Sequence, residues 1–348
     1  MNKEKKQTRI AELGEFGLID RLTKHIQIKN KSTLKGVGDD AAVFDYSDKC
    51  VVFSTDLLTE GVHFNLMYVP LKHLGYKSVI VNLSDIYAMN ARPKQITVNL
   101  ALSNKFSVEA VEEMYSGIYQ ACENYGVDLV GGDTTSSLTG LTISISALGE
   151  ARQEDLVYRN GAKPGDLLCV SGDLGGAYMG LQLLERENEV FKVNPNEQPQ
   201  LQGYDYILGR QLKPEARADM VNAFEKLKIK PTSMIDISDG LSSEILHLCK
   251  NSKVGCNLFE EKVPMDLQTK KMAEELNINP LVAALNGGED YELLFTLSPK
   301  DAKKIKNDPD FTIIGEITEA SEGANLMTTG GSKIELQAQG WNHGNSYL

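Results

Sequence analysis

The chain of 348 residues carries only five cysteines, Cys50, Cys122, Cys169, Cys249 and Cys256, and no two of them form a CxxC pair. An odd, scattered set excludes a disulfide framework and gives no zinc-ligand spacing, so a reducing, cytoplasmic setting is expected. No apolar run approaches the length needed to cross a bilayer. The polar start Met1-Asn2-Lys3-Glu4 is followed by no apolar stretch, so no signal peptide is expected. Positive charge is also in deficit: 36 basic against 48 acidic residues leave a net charge of -12. That balance argues against a nucleic-acid or anionic-membrane surface, because both are polyanions. Phosphate ligands stay open if divalent cations stand between the two negative partners. Finally, the chain has no GxxxxGK[ST], HRD or DFG sequence, so neither a P-loop nor a protein-kinase site is expected.

What is present suffices for two cores. With 41% hydrophobic residues, the length suggests two domains, and turn-forming Arg159-Asn160-Gly161-Ala162-Lys163-Pro164-Gly165-Asp166 places their boundary near residue 152. Helices are expected over 12–28, 71–90, 107–125, 176–184, 214–227 and 241–250. Ser107 and Gly126 supply the cap signals of the third. Strands are expected over 41–44, 50–54, 95–102, 127–130 (buried), 141–148, 167–171, 234–237, 257–259, 291–296 and 311–317. Residues 185–202, polar and with Pro195 and Pro199, read as a surface insertion. Strands and helices mix without regular alternation, which favours α+β over a doubly wound sheet.

The acidic residues fall in a telling pattern. Asp39 and Asp40 follow Gly38. Asp56 and Asp133 are expected to end strands, as are Asp236 and Asp239 in Met234-Ile235-Asp236-Ile237-Ser238-Asp239-Gly240. Glu289 and Asp290 follow Gly287-Gly288. Strand-end loops present chemistry from rigid scaffolds, and magnesium takes carboxylates together with substrate phosphates. Each motif alone is also an ordinary turn or cap; Ser238 or Asp239, for example, could cap the helix after Gly240. Asp85 stands inside the apolar helical pattern Val79 to Met89. It either lies on an exposed polar side or is buried; a metal role requires it to point at Asp40 and Asp56.

These motifs occur in an order that resembles the thiamine-monophosphate kinase family. They are Gly14-Glu15-Phe16, Gly38-Asp39-Asp40, Ser54-Thr55-Asp56, Gly61-Val62-His63-Phe64, Asn82-Leu83-Ser84-Asp85, Gly131-Gly132-Asp133-Thr134-Thr135, Arg159 with its glycine-rich turn, Asp236 to Gly240, Gly287 to Leu293, and Gly340-Trp341-Asn342-His343. The resemblance implies the aminoimidazole-ribotide synthetase-like fold: an N-terminal α/β domain over 1–151 for ATP, magnesium and dimerisation, and a C-terminal α+β domain over 152–348 completing the substrate site. It implies a homodimer built on N-terminal strands. It also implies ATP-dependent phosphorylation of thiamine monophosphate with several Mg2+ ions, by direct in-line transfer without a dedicated catalytic base. Asp40, Ser54, Thr55, Asp56, Asp85, Asp133, Asp236 and Asp239 would be metal ligands. Gly132, Asp133, Arg159 and Ser238 would contact ATP, and His63, Glu289 and Trp341 the thiamine phosphate. Related synthetases with the same fold and a non-enzymatic divalent-cation binder are the rival readings. The first loses ground because Cys50 lies inside a strand and the chain ends Asn345-Ser346-Tyr347-Leu348, without the cysteines of the selenophosphate and hydrogenase-maturation branches.

Overall fold

The computed structural model describes residues 33–35, 38–305 and 308–339. The expected helix over 12–28, the Gly14-Glu15-Phe16 motif and Trp341 lie outside the described residues. Two mixed sheets organise the rest. The first contains β1 (Thr33–Lys35), β2 (Ala42–Tyr46), β3 (Lys49–Thr59), β4 (Arg92–Leu102), β5 (Asp128–Ser136) and β6 (Leu141–Ala151), in the order β1-β2-β3-β6-β4-β5. Only β4 and β5 pair in parallel. The second contains β7 (Leu167–Ser171), β8 (Ser233–Asp236), β9 (Gly255–Phe259), β10 (Leu293–Leu297), β11 (Phe311–Thr318), β12 (Ala324–Met327) and β13 (Lys333–Glu335), in the order β13-β12-β9-β11-β7-β10-β8. This is an α+β architecture, as the irregular element order suggests.

Period-two alternation makes β6 bury Leu141, Ile143, Ile145 and Ala147 on one face while Thr142, Ser144 and Ser146 point to the other. The apolar face receives two helices, α1 (Leu71–Ala88) and α2 (Val108–Tyr125). Ser107 caps α2 by accepting from the Ala110 N–H, and Gly126 ends it in the left-handed conformation. The two helices approach closely where Gly75 meets Gly117. A Cβ on Gly75 would stand 1.9 Å from the Met114 carbonyl oxygen, so only hydrogen fits there. Helix α1 is buried on nearly all sides, as expected of a helix apolar around most of its circumference. Its polar residues are therefore conspicuous: Ser78, Asn82 and Asp85 recur at i, i+4 and i+7, flanked by Lys77 and Ser84, so they form one stripe. That stripe faces β3 on one side and the start of the second half of the chain on the other.

The second half adds α3 (Gly176–Val193), α4 (Asp205–Leu212), α5 (Ala218–Leu227), α6 (Leu241–Ser252), α7 (Leu267–Glu275), α8 (Pro280–Asn286) and α9 (Pro299–Ile305). Some expectations need correction. Residues 185–193 continue α3 as helix, because Leu183, Leu184 and Glu187 keep one face buried; the chain turns irregular only after Val193. The helix expected to begin at Pro214 begins at Ala218, and α4 before it was not anticipated. Strand β5 is not buried: it is an exposed sheet edge, and its apolar Val130 faces solvent. Asp56 and Asp133 lie within β3 and β5 rather than at their ends, whereas Asp236 does end β8. The strand expected from Tyr291 starts at Leu293, since Glu289 and Tyr291 hold left-handed backbone angles that no strand admits.

Candidate active site

The polar stripe of α1 meets β3, the Asp39–Asp40 turn and the end of β8 at one point. There Asp40, Asp85 and Asp236 each offer a carboxylate oxygen, and these oxygens lie within 4.8 Å of one another. Asp56 adds a fourth negative group beside Asp85. The Ser54 hydroxyl donates to Asp85, and the Ser84 hydroxyl donates to Asp236 at 2.5 Å. Asn82, fully buried, accepts from the Asp56 backbone N–H at 3.1 Å and fixes that strand against the helix. Asp85 is thus half-buried and turned into the cluster with Asp40 rather than lying on an exposed polar side.

Loss of water pushes the Asp85, Asp236 and Asp56 carboxyls toward protonation. Asp85 is raised well above the ordinary carboxylate value by burial and then by Asp56, Asp236 and Asp40. Asp236 is raised likewise by burial and by Asp40, and Asp56 to about 6 by burial. One cation answers the cluster among the described residues: Arg159 grips Asp40 with Nε at 2.9 Å and Nη2 at 2.8 Å. A single guanidinium against four converging carboxylates leaves a strong negative surplus. Hard oxygen donors with surplus negative charge are the donor set that suits magnesium.

A second group of residues lies next to this cage. The Glu289 backbone N–H donates to the Ser238 carbonyl at 2.7 Å and the Tyr291 N–H to the Ile237 carbonyl at 2.9 Å, so the Gly287–Tyr291 loop is pinned on the Asp236–Gly240 turn. Gly288 is required there: its φ is +70° and a Cβ would meet the Ser238 oxygen at 2.5 Å. The N-cap position of α6 is Gly240, which has no side chain to cap it. Instead the buried Glu244 reaches back and accepts the Asp239 N–H at 2.9 Å. Glu289 is held by Lys77 (2.9 Å) and by the Gln211 amide (3.0 Å). His63 sits half-buried on the loop after β3, where its Nδ1 accepts the Thr59 N–H at 3.0 Å. A neutral ring held so carries its proton on Nε2.

The expected site is therefore only partly assembled in a single chain. Asp40, Ser54, Asp56, Asp85, Asp236 and Arg159 converge, with Ser238, Asp239 and Glu289 on the adjoining turns. Thr55 does not join them through its side chain. Strand alternation turns its hydroxyl to the opposite face, where it donates to the Ile145 carbonyl and accepts from Ser146. Asp133 is also apart: it pairs with Asn99, Asn99 with Ser144 and Ser144 with Leu57, so it lies three strands from β3 and on the open face. Three strand spacings are about 14 Å. Lys77, Ser84, Asn82, Gln211 and Glu244 were not anticipated. The charge of Lys77 inside an apolar helical pattern was the same signal that singled out Asp85.

Comparison with known proteins defines the class first. Residues 38–151 match the family described as AIR synthase related protein, N-terminal domain. The thiamine-monophosphate kinase of Aquifex aeolicus is 38% identical over 96% of this chain and 99% of that relative. The crystal structure of that organism's thiamine monophosphate kinase aligns with a TM-score of 0.75 and 33% identity, covering 94% of this chain and 100% of that one. The solved structure of AaThiL complexed with AMPPCP and TMP aligns with a TM-score of 0.81 and 35% identity over 97% of this chain and 99% of that one. The chain belongs to the thiamine-monophosphate kinase family.

Proposed function

We propose that the chain transfers the γ-phosphate of ATP in line to the phosphate of thiamine monophosphate, releasing ADP and thiamine diphosphate. The observation that carries this reading is the acidic cage of Asp40, Asp85 and Asp236 in a near full-length member of the kinase family. The acceptor oxygen is already ionised near neutral pH, so no side chain need remove a proton. The problem is the meeting of two polyanions in an acidic protein. Asp40, Ser54, Asp56, Asp85 and Asp236 would hold Mg2+, with Asp239 serving a further ion; when bound, magnesium supplies the positive charge that offsets repulsion on the transferring group.

The protein's own groups then position the substrates. Arg159 presents a planar fork suited to phosphate oxygens once Asp40 engages a metal. His63 would contact the acceptor, and Glu289 would offer a carboxylate to its amino group. Trp341 would stack on a thiamine ring. Gly132, Asp133 and Ser238 would contact the nucleotide. Asp133, and Thr55 with it, belong to the open face of the first sheet, which we propose as the surface where a second copy packs to form the homodimer. Exposed Leu57 and Val130 on that sheet support this reading.

The test is formation of thiamine diphosphate from thiamine monophosphate, ATP and Mg2+. Turnover should appear with the intact chain and vanish with Asp85→Asn in a protein that still folds. Calorimetry with Mg2+ and a non-hydrolysable ATP analogue separates the rival: a mere cation binder would show no coupling between metal and nucleotide.

A further inference from the structure

Lys77 is an ammonium in an unusual place. It is 5% exposed, inside a helix that is otherwise apolar or site-facing, and an unpaired charge there would be costly. Its Nζ lies 2.9 Å from Glu289 Oε1 and donates to the Gln211 carbonyl at 3.1 Å. Gln211 in turn donates from Nε2 to Glu289 Oε2 at 3.0 Å. Both oxygens of Glu289 are thus fixed, while the side chain keeps 29% of its surface open. The backbone adds to this: Glu289 sits at φ +57°, held there by its bond to Ser238. A carboxylate clamped from behind and free in front is prepared to accept from a ligand donor. Lys77 and Asp85 stand on the same helix, eight residues apart, which is about 12 Å of rise. One rigid element therefore carries both the cage ligand and the clamp on Glu289.

We propose that Lys77 is a positioning residue for acceptor specificity: through Glu289 it fixes where the amino-bearing end of the acceptor docks relative to the acidic cage. The proposal rests on the reading that Glu289 contacts the acceptor. Lys77 touches neither substrate; it keeps the Glu289 carboxylate paired and aimed.

Steady-state kinetics with thiamine monophosphate and ATP varied separately test this, using Lys77→Met, Glu289→Gln and the double variant. Melting curves establish folding, and Lys77→Gln replaces Lys77→Met if the latter does not fold. Lys77→Met should raise the acceptor KM about 10- to 100-fold, the size of one lost charge-assisted contact. The ATP KM should move less than about twofold. The double variant should be no worse than the worse single, because both changes remove one interaction. Should Glu289→Gln raise the acceptor KM while Lys77→Met does not, or should the losses simply add, Lys77 has no positioning role. Should Glu289→Gln itself leave the acceptor KM unchanged, the contact between Glu289 and the acceptor is refuted, and the role of Lys77 with it.

Discussion

Asp56→Asn should make the metal-free protein more stable and the enzyme inactive, two effects of opposite sign from one carboxylate. Folding raises the Asp56 pKa from 3.8 to about 6, because the side chain leaves water and no cation among the described residues faces it as Arg159 faces Asp40. An acid whose folded value is raised binds its proton more tightly when folded. The folded state is therefore favoured at low pH, and that advantage is lost as pH rises through about 6. At about 1.4 kcal/mol per tenfold change in acidity, the ionised group costs the folded protein on the order of 3 kcal/mol at neutral pH. The amide of Asn keeps the shape without the charge, and the backbone bond to Asn82 is untouched. In EDTA near neutral pH the variant should melt several degrees higher than the parent, and the gap should close near pH 4. Magnesium should reverse the ranking. Ligand at about 1,000 times its Kd stabilises the parent by about 4.1 kcal/mol, more than that deficit, and the variant should gain little. Scanning calorimetry of both proteins at two pH values, with EDTA or with Mg2+ and an ATP analogue, reads these shifts. A variant that melts lower than the parent in EDTA, or that retains magnesium protection and turnover, would refute the electrostatic account of the cage.

The same geometry sets other outcomes. Arg159→Met should weaken nucleotide binding yet tighten Mn2+ binding without nucleotide, since no guanidinium then competes for Asp40; isothermal calorimetry checks both. Glu292, 1% exposed, pairs with Arg210 at 2.7 Å and with Arg217, and accepts the Ser171 hydroxyl at 2.5 Å. Glu292→Gln leaves two half-paired guanidinium groups and should cost about 3–5 kcal/mol in urea unfolding.

Local chemistry made much of this protein legible in its sequence. Ser107 and Gly126 mark the ends of α2 because capping depends on neighbours a few residues away. The alternation in β6 and the α+β class follow from patterns within single segments. The acidic cage was legible for the same reason: a carboxylate inside the apolar pattern of α1 has to find partners, and Asp40 and Asp236 are among them. Tertiary structure alone decided what depends on distant pairing. Which side of the sheet Thr55 and Asp56 face is set by the register of β3 against β6, and that register sends the Thr55 hydroxyl away from the cage. The exposure of β5 follows from its place at the sheet edge, which its apolar sequence does not reveal. Lys77, Gln211 and Glu289 are separated by up to 212 positions, and only packing of α1 against the second half of the chain made them one clamp.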